Sequence, residues 1–127
     1  MKILIVDNDV SVATTIKSAL GLKPDYEVNI ALNAKEALKN LKTTTYDLLL
    51  VDFMMPEING IELCKMMLED PKTKNTPVII VSALPISSKA FQESNQNFNK
   101  LANIKDLLEK PFGVTDLLQK VEKILGK

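Results

Sequence analysis

Five short apolar runs, separated by segments of helical spacing, constrain this chain more than any other feature. They are Ile3 to Val6, Val28 to Leu32 with one polar interruption, Leu48 to Val51, Val78 to Val81, and Leu107-Leu108. None alternates strictly with polar residues, so they read as strands covered on both faces, the pattern of a parallel sheet. The intervening segments carry helical stripes. Val12, Ile16 and Leu20 stand four apart before Gly21, and Ala37, Leu38 and Leu41 follow Asn33, a cap residue with Glu36 three positions on. Ile61, Cys64, Met67 and Leu68 form a third stripe, and Val114, Leu117, Leu118, Val121, Ile124 and Leu125 a last one before Gly126-Lys127, which reads as a true chain end. The expectation is an α/β layer structure with a five-stranded parallel sheet and right-handed crossovers, in a single domain over residues 1–127. Between Pro85 and Asn103, Ser, Asn and Gln accumulate, and this stretch reads as a helix of low stability with a loose connection.

Such a sheet binds ligands outside the carboxyl ends of its strands, near the point where strand order reverses. Asp7 and Asp9 follow the first strand, Asp52 ends the third, Ser82 ends the fourth and Lys110 follows the fifth, so all five residues share one edge. Crowded carboxylates repel one another. A hard divalent cation relieves that repulsion, and Mg²⁺ suits few protein ligands plus waters and phosphate oxygens. With the cation in place a carboxylate can attack a phosphoryl group, while an ammonium offsets charge on its equatorial oxygens. Lys110 supplies the ammonium and Ser82 a hydrogen bond. Asp52 is the strongest nucleophile candidate, since the turn Met54-Met55-Pro56 and Asn59-Gly60 after it holds the cleft open. Asp9 reads equally well as a helix cap or as a ligand.

Composition removes other chemistries. The chain has 16 cationic and 16 acidic residues, and every cation is lysine, so neither a cationic excess nor a guanidinium fork is available for nucleic acid. There is no histidine, which excludes Ser-His and Cys-His nucleophiles and imidazole-bound zinc. Cys64 stands alone, so no disulfide forms, which fits a reducing cytoplasm. No run approaches the ~18 apolar residues of a membrane span, and the start is too short for a signal segment. Cys64 reads as a small buried hydrophobe, Met54, Met55, Met66 and Met67 as loop and core filler, and Lys35, Lys39 and Lys42 as a solvated helix face.

The segments ILIVDND at 3 to 9, YDLLLVDFMMPEINGIEL at 46 to 63, PVIIVSA at 77 to 83 and EKPF at 109 to 112 together resemble the receiver domain of two-component response regulators. The resemblance covers almost the whole chain. It implies a doubly wound, CheY-like three-layer fold with strand order 2-1-3-4-5. It implies that Asp52 is the phosphoacceptor, Ser82 the switch hydroxyl and Lys110 the phosphate-sensing lysine, joined by a cis bond to Pro111. Asp7, Asn8, Asp52 and the Met54 carbonyl would form the pocket for Mg²⁺ or Mn²⁺. The implied activity is a phosphorylation-switched signalling module in a phosphorelay, not a metabolic enzyme, catalysing only its own phosphotransfer and dephosphorylation. The implied partners are a histidine kinase or phosphotransfer protein and a downstream protein contacting residues 83–127; composition argues against nucleic acid and membrane, and no effector domain follows in this chain.

Three departures from the family pattern carry expectations. Asn8 replaces an acid that ordinarily ligates the metal, so Mg²⁺ binding should be weaker unless Asp9 compensates. Leu107 stands where the family carries a tyrosine or phenylalanine, so the coupling of switch hydroxyl to aromatic rotation is missing its ring. Ser82 and Lys110 lie 28 positions apart, longer than the common family spacing by roughly one and a half helical turns. Met54 and Leu84, two residues beyond acceptor and hydroxyl, are apolar, so neither orients a hydrolytic water and the phosphoryl group should be long-lived. Two other readings compete: a receiver that works without phosphorylation, and a haloacid-dehalogenase-like phosphohydrolase with Asp7 as nucleophile and Asp9 as acid/base.

Overall fold

The computed structural model describes residues 1–83 and 101–126. The low-stability helix expected between Pro85 and Asn103 falls largely outside the described residues, as does Leu84; residues 101–103 lead through a turn into the last strand. The elements run β1 (Lys2–Val6), α1 (Val10–Leu20), β2 (Glu27–Ala31), α2 (Ala34–Thr43), β3 (Leu48–Asp52), α3 (Gly60–Leu68), β4 (Val78–Ser82), β5 (Ile104–Glu109) and α4 (Val114–Leu125). All strand pairs are parallel, and the sheet order is β2-β1-β3-β4-β5.

Burial follows the runs. Every residue of β3 and β4 is buried, because these strands have neighbours on both sides and helices over both faces. Successive side chains alternate between two cores. Leu4, Val6, Leu49, Val51, Val78 and Ile80 pack with Ala37, Leu41, Cys64 and Met67 of α2 and α3, whereas Ile3, Ile5, Leu48, Leu50, Ile79 and Val81 pack with Ile16, Leu20, Leu117 and Val121 of α1 and α4. The outer strands differ. In β2 only Ala31 is fully buried and in β5 only Leu108, which is why β5 shows a mere apolar pair in sequence although it extends over Ile104–Glu109. Its pairing with β4 also carries a register shift opposite Val78/Ile79.

The helix starts are set by side-chain caps. Asp9 Oδ1 accepts the backbone N–H groups of Ser11 and Val12 at 2.9 and 3.3 Å. Asn33 Oδ1 accepts from Glu36 N–H at 2.8 Å, while Glu36 reaches back to the N–H of Leu32. Asn59 and Glu62 form a complete capping box on α3. These caps fix where each helix leaves the strand ends that hold the candidate site.

Candidate functional site

Strand order reverses between β1 and β3, and Val6 pairs with Val51 across that junction. The next residue on each strand is an aspartate, so Asp7 and Asp52 emerge side by side. Asp7 is 2% exposed and Asp52 6%. Asp7 Oδ1 accepts the N–H of Asp9 at 2.8 Å, which orients the carboxylate and leaves Oδ2 facing the cleft. Lys110 reaches both acids: its Nζ donates to Asp7 Oδ2 at 3.2 Å and to Asp52 Oδ1 at 3.4 Å. The lysine is anchored by its own backbone, whose N–H donates to the carbonyl of Ser82 at 2.7 Å. Ser82 closes β4 and is buried, and the Lys110–Pro111 peptide is cis, as the resemblance implies. All four of these expected residues therefore meet at one sheet edge.

The charges in this pocket do not cancel. Two buried carboxylates face one ammonium, and the Asp52 carboxyl is pushed up to about 6, first by burial and then by the negative charge of Asp7. Lys110 and the N–H of Met54 pull the other way without offsetting those effects. A pocket with surplus negative charge on hard oxygen donors suits a small divalent cation. Among the described residues no three His, Cys, Asp or Glu side chains form a ligand set. Two carboxylates thus leave the remaining positions to a carbonyl, an amide and water, the sparse protein ligation that Mg²⁺ tolerates.

Other candidates sort differently. Asp9 caps α1 through Oδ1 and is exposed. Asn8 is exposed at the rim. Met54 is 58% exposed and contributes through its backbone. Met66 is also exposed, contrary to the reading of the methionines as filler, while Met55 and Met67 are buried. Cys64 is fully buried, and burial pushes its thiol up to about 12, so it is inert packing. Lys35, Lys39 and Lys42 are exposed.

The sequence reading takes Asn59-Gly60 only as a turn, and the structure gives the glycine a sharper role. A Cβ on Gly60 would lie 2.6 Å from the backbone oxygen of Asp52 and 3.2 Å from Phe53 Cα. The N–H of Gly60 donates to the Phe53 carbonyl at 3.0 Å, so α3 begins pressed against the strand end that bears the acceptor. The signal for this start was present in the Asn59 to Glu62 spacing. Glu57, in the same loop, holds a left-handed φ of 68°.

Comparison with known proteins agrees with this geometry. The family model described as "Response regulator receiver domain" matches residues 3–122. The response regulator ArlR of Staphylococcus saprophyticus is 31% identical over 130 residues, covering 99% of this chain and 53% of that protein. The chain spans about half the length of the curated relatives it matches. Among solved structures, the receiver domain of the Francisella response regulator 1452 superposes with a TM-score of 0.82 at 34% identity, covering 98% of this chain and 96% of that one. The receiver domain of the sensor histidine kinase PA1611 from Pseudomonas aeruginosa, solved with a magnesium ion in its active-site cleft, shares the fold at a TM-score of 0.83 and 22% identity over 99% of this chain and 98% of that one.

Proposed function

The chain belongs to the response regulator receiver family, and from that premise we propose that Asp52 accepts a phosphoryl group from a histidine kinase or phosphotransfer protein and thereby switches a protein-binding face. The observation that carries this reading is the single Lys110 ammonium reaching both Asp7 and Asp52, from a strand two places from β3 and three from β1 in the sheet.

In the forward step an Asp52 carboxylate oxygen attacks phosphorus, an O–P bond forms, and the P–N bond to the donor imidazole breaks. The acceptor must be ionised, which a carboxyl near 6 is at neutral pH. Lys110 then meets the charge developing on the phosphoryl oxygens, an interaction stronger in the transition state than with the bare carboxylate. Asp7 holds Lys110 by the shorter of its two contacts and keeps the ammonium at the pocket when Asp52 is esterified. Ser82, buried at the adjacent strand end, would supply the hydroxyl that bonds a phosphoryl oxygen. Asp7, Asp52, the Met54 carbonyl and the rim amide of Asn8 would hold Mg²⁺ or Mn²⁺, which when bound neutralises the carboxylates and orients the phosphoryl oxygens.

A partner has room to approach. Beside Lys110 lies an apolar hollow of about 470 Å³ lined by Val12, Thr15, Ala83, Pro111 and Phe112 among others, with Val10 and Val114 exposed at the neighbouring helix starts. Such a surface suits a helix carrying a phosphohistidine. Among the described residues no helix is long and apolar enough to cross a membrane. The hydrolase reading needs Asp9 as an acid/base in the cleft, and the α1 cap engages one oxygen of that carboxylate.

The test is incubation with acetyl phosphate and Mg²⁺, followed by borohydride trapping and peptide mass spectrometry. One phosphoryl group on Asp52, absent in Asp52→Asn, is expected. Modification of Asp7 would favour the hydrolase, and no modification would leave a receiver that works without phosphorylation.

A further inference from the structure

At the sheet edge opposite the carboxylate site, a half-enclosed chamber of about 290 Å³ lies between the end of α2, the segment entering β3 and the turn after α3. Lys42 and Lys72 both line it, and no carboxylate does. Among the described residues neither ammonium has an acid within ion-pair distance. Asp70, two residues before Lys72, accepts that residue's backbone N–H at 2.9 Å instead. Two solvent-exposed cations from separate elements thus line one cavity with no acid paired to either among the described residues.

The hydroxyls of the chamber divide into two sets. Thr43 and Thr73 donate to the carbonyls of Asn40 and Met67 at 3.3 and 2.7 Å. These carbonyls belong to the last turns of α2 and α3, where the negative helix end repels anions, so the two hydroxyls partly screen it. Thr44, Thr45 and Thr76 make no side-chain hydrogen bond to another described residue, although Thr76 is only 8% exposed. None of the three hydroxyls is a buried unsatisfied atom, so each is open to water or to a ligand. Two unpaired ammoniums with adjacent hydroxyl donors match a tetrahedral oxyanion.

The geometry points to a second ligand site here, separate from the acceptor pocket, that takes a phosphate-class oxyanion between Lys42 and Lys72 with hydroxyls of the threonine cluster. This site does not depend on Asp52 chemistry, because it lies at the opposite ends of the strands. Its ligand is free inorganic phosphate or a phosphomonoester, which share the recognised group.

The test is titration of the ¹⁵N-labelled chain with inorganic phosphate, and in parallel with glycerol phosphate, in chelator at constant ionic strength made up with chloride. Saturable amide shifts over residues 41–46 and 72–76 with either ligand are expected, and the tighter of the two identifies the source. Lys42→Gln/Lys72→Gln should bind about tenfold more weakly, and Thr76→Val should weaken binding where Thr76→Ser does not. Unchanged spectra elsewhere establish that these variants fold. Shifts that never saturate, that are confined to Asp7, Asp52 and Lys110, or that persist equally in the double lysine variant would overturn the proposal.

Discussion

At the acceptor, burial and charge work against the residue that does the chemistry. A carboxyl raised to about 6 in the folded chain, against 3.8 for the unperturbed group, favours the protonated form. The stability it confers is complete below the unfolded value and is lost as pH rises through about 6, so above that point the ionised Asp52 destabilises the metal-free fold by at most about 3 kcal/mol. Asp52→Asn removes the penalty and leaves Lys110 paired with Asp7. In chelator its melting temperature should exceed wild type at pH 7.5, the difference shrinking to nothing near pH 4; thermal scans across that range giving a constant difference would contradict this. Asn8 makes the converse case. It adds no charge at an exposed rim position, so Asn8→Asp should tighten Mg²⁺ binding by roughly tenfold and lower metal-free stability at neutral pH. A calorimetric titration showing equal affinities would refute the view that the lost acid weakens the site.

Helix α3 shows how an element positions a residue it does not contain. Asn59→Ala removes its cap at a cost of about 1 kcal/mol while leaving the strand end undisturbed, so phosphorylation by acetyl phosphate should proceed at nearly the wild-type rate. Gly60→Ala introduces a methyl 2.6 Å from the Asp52 carbonyl oxygen, and backbone must move by a cost of about 1–3 kcal/mol. Stopped-flow or gel-shift rates should fall in Gly60→Ala and not in Asn59→Ala; equal rates would mean that α3 does not set the acceptor. The contrast also explains what the sequence could reveal. Caps are local and legible, as at Asp9 and Asn33, because donor and acceptor lie within four residues. Gly60 against Asp52 is a contact across a loop, and β5 hides its length because an outer strand carries Lys105 and Asp106 where an inner one is apolar. Leu107 packs partly buried against the core shared with α2 and α3. Without an aromatic ring there, phosphorylation should leave its environment changed less than that of Lys110, readable as smaller chemical-shift changes at Leu107 than at Ser82 and Lys110.

For the molecule as a whole, the site exists only when the sheet does. The five runs announced a parallel sheet, yet they could not order it; order came from the resemblance, and the pairing of Val6 with Val51 turns that order into two adjacent acids. Unfolded, Asp7, Asp52 and Lys110 are far apart along the chain and share no ion, so a divalent cation binds the native state alone and must stabilise it by mass action. At ten times its dissociation constant the gain is about 1.4 kcal/mol, or about 5 °C for a domain of this length. The gain should also depend on pH, because the cation competes with the proton on a carboxyl near 6. Melting curves with and without Mg²⁺ should therefore separate at pH 8, converge at pH 4.5, and stay together at both in Asp52→Asn. Equal Mg²⁺ stabilisation at the two pH values, or full stabilisation of Asp52→Asn, would place the ion somewhere other than between these two strand ends.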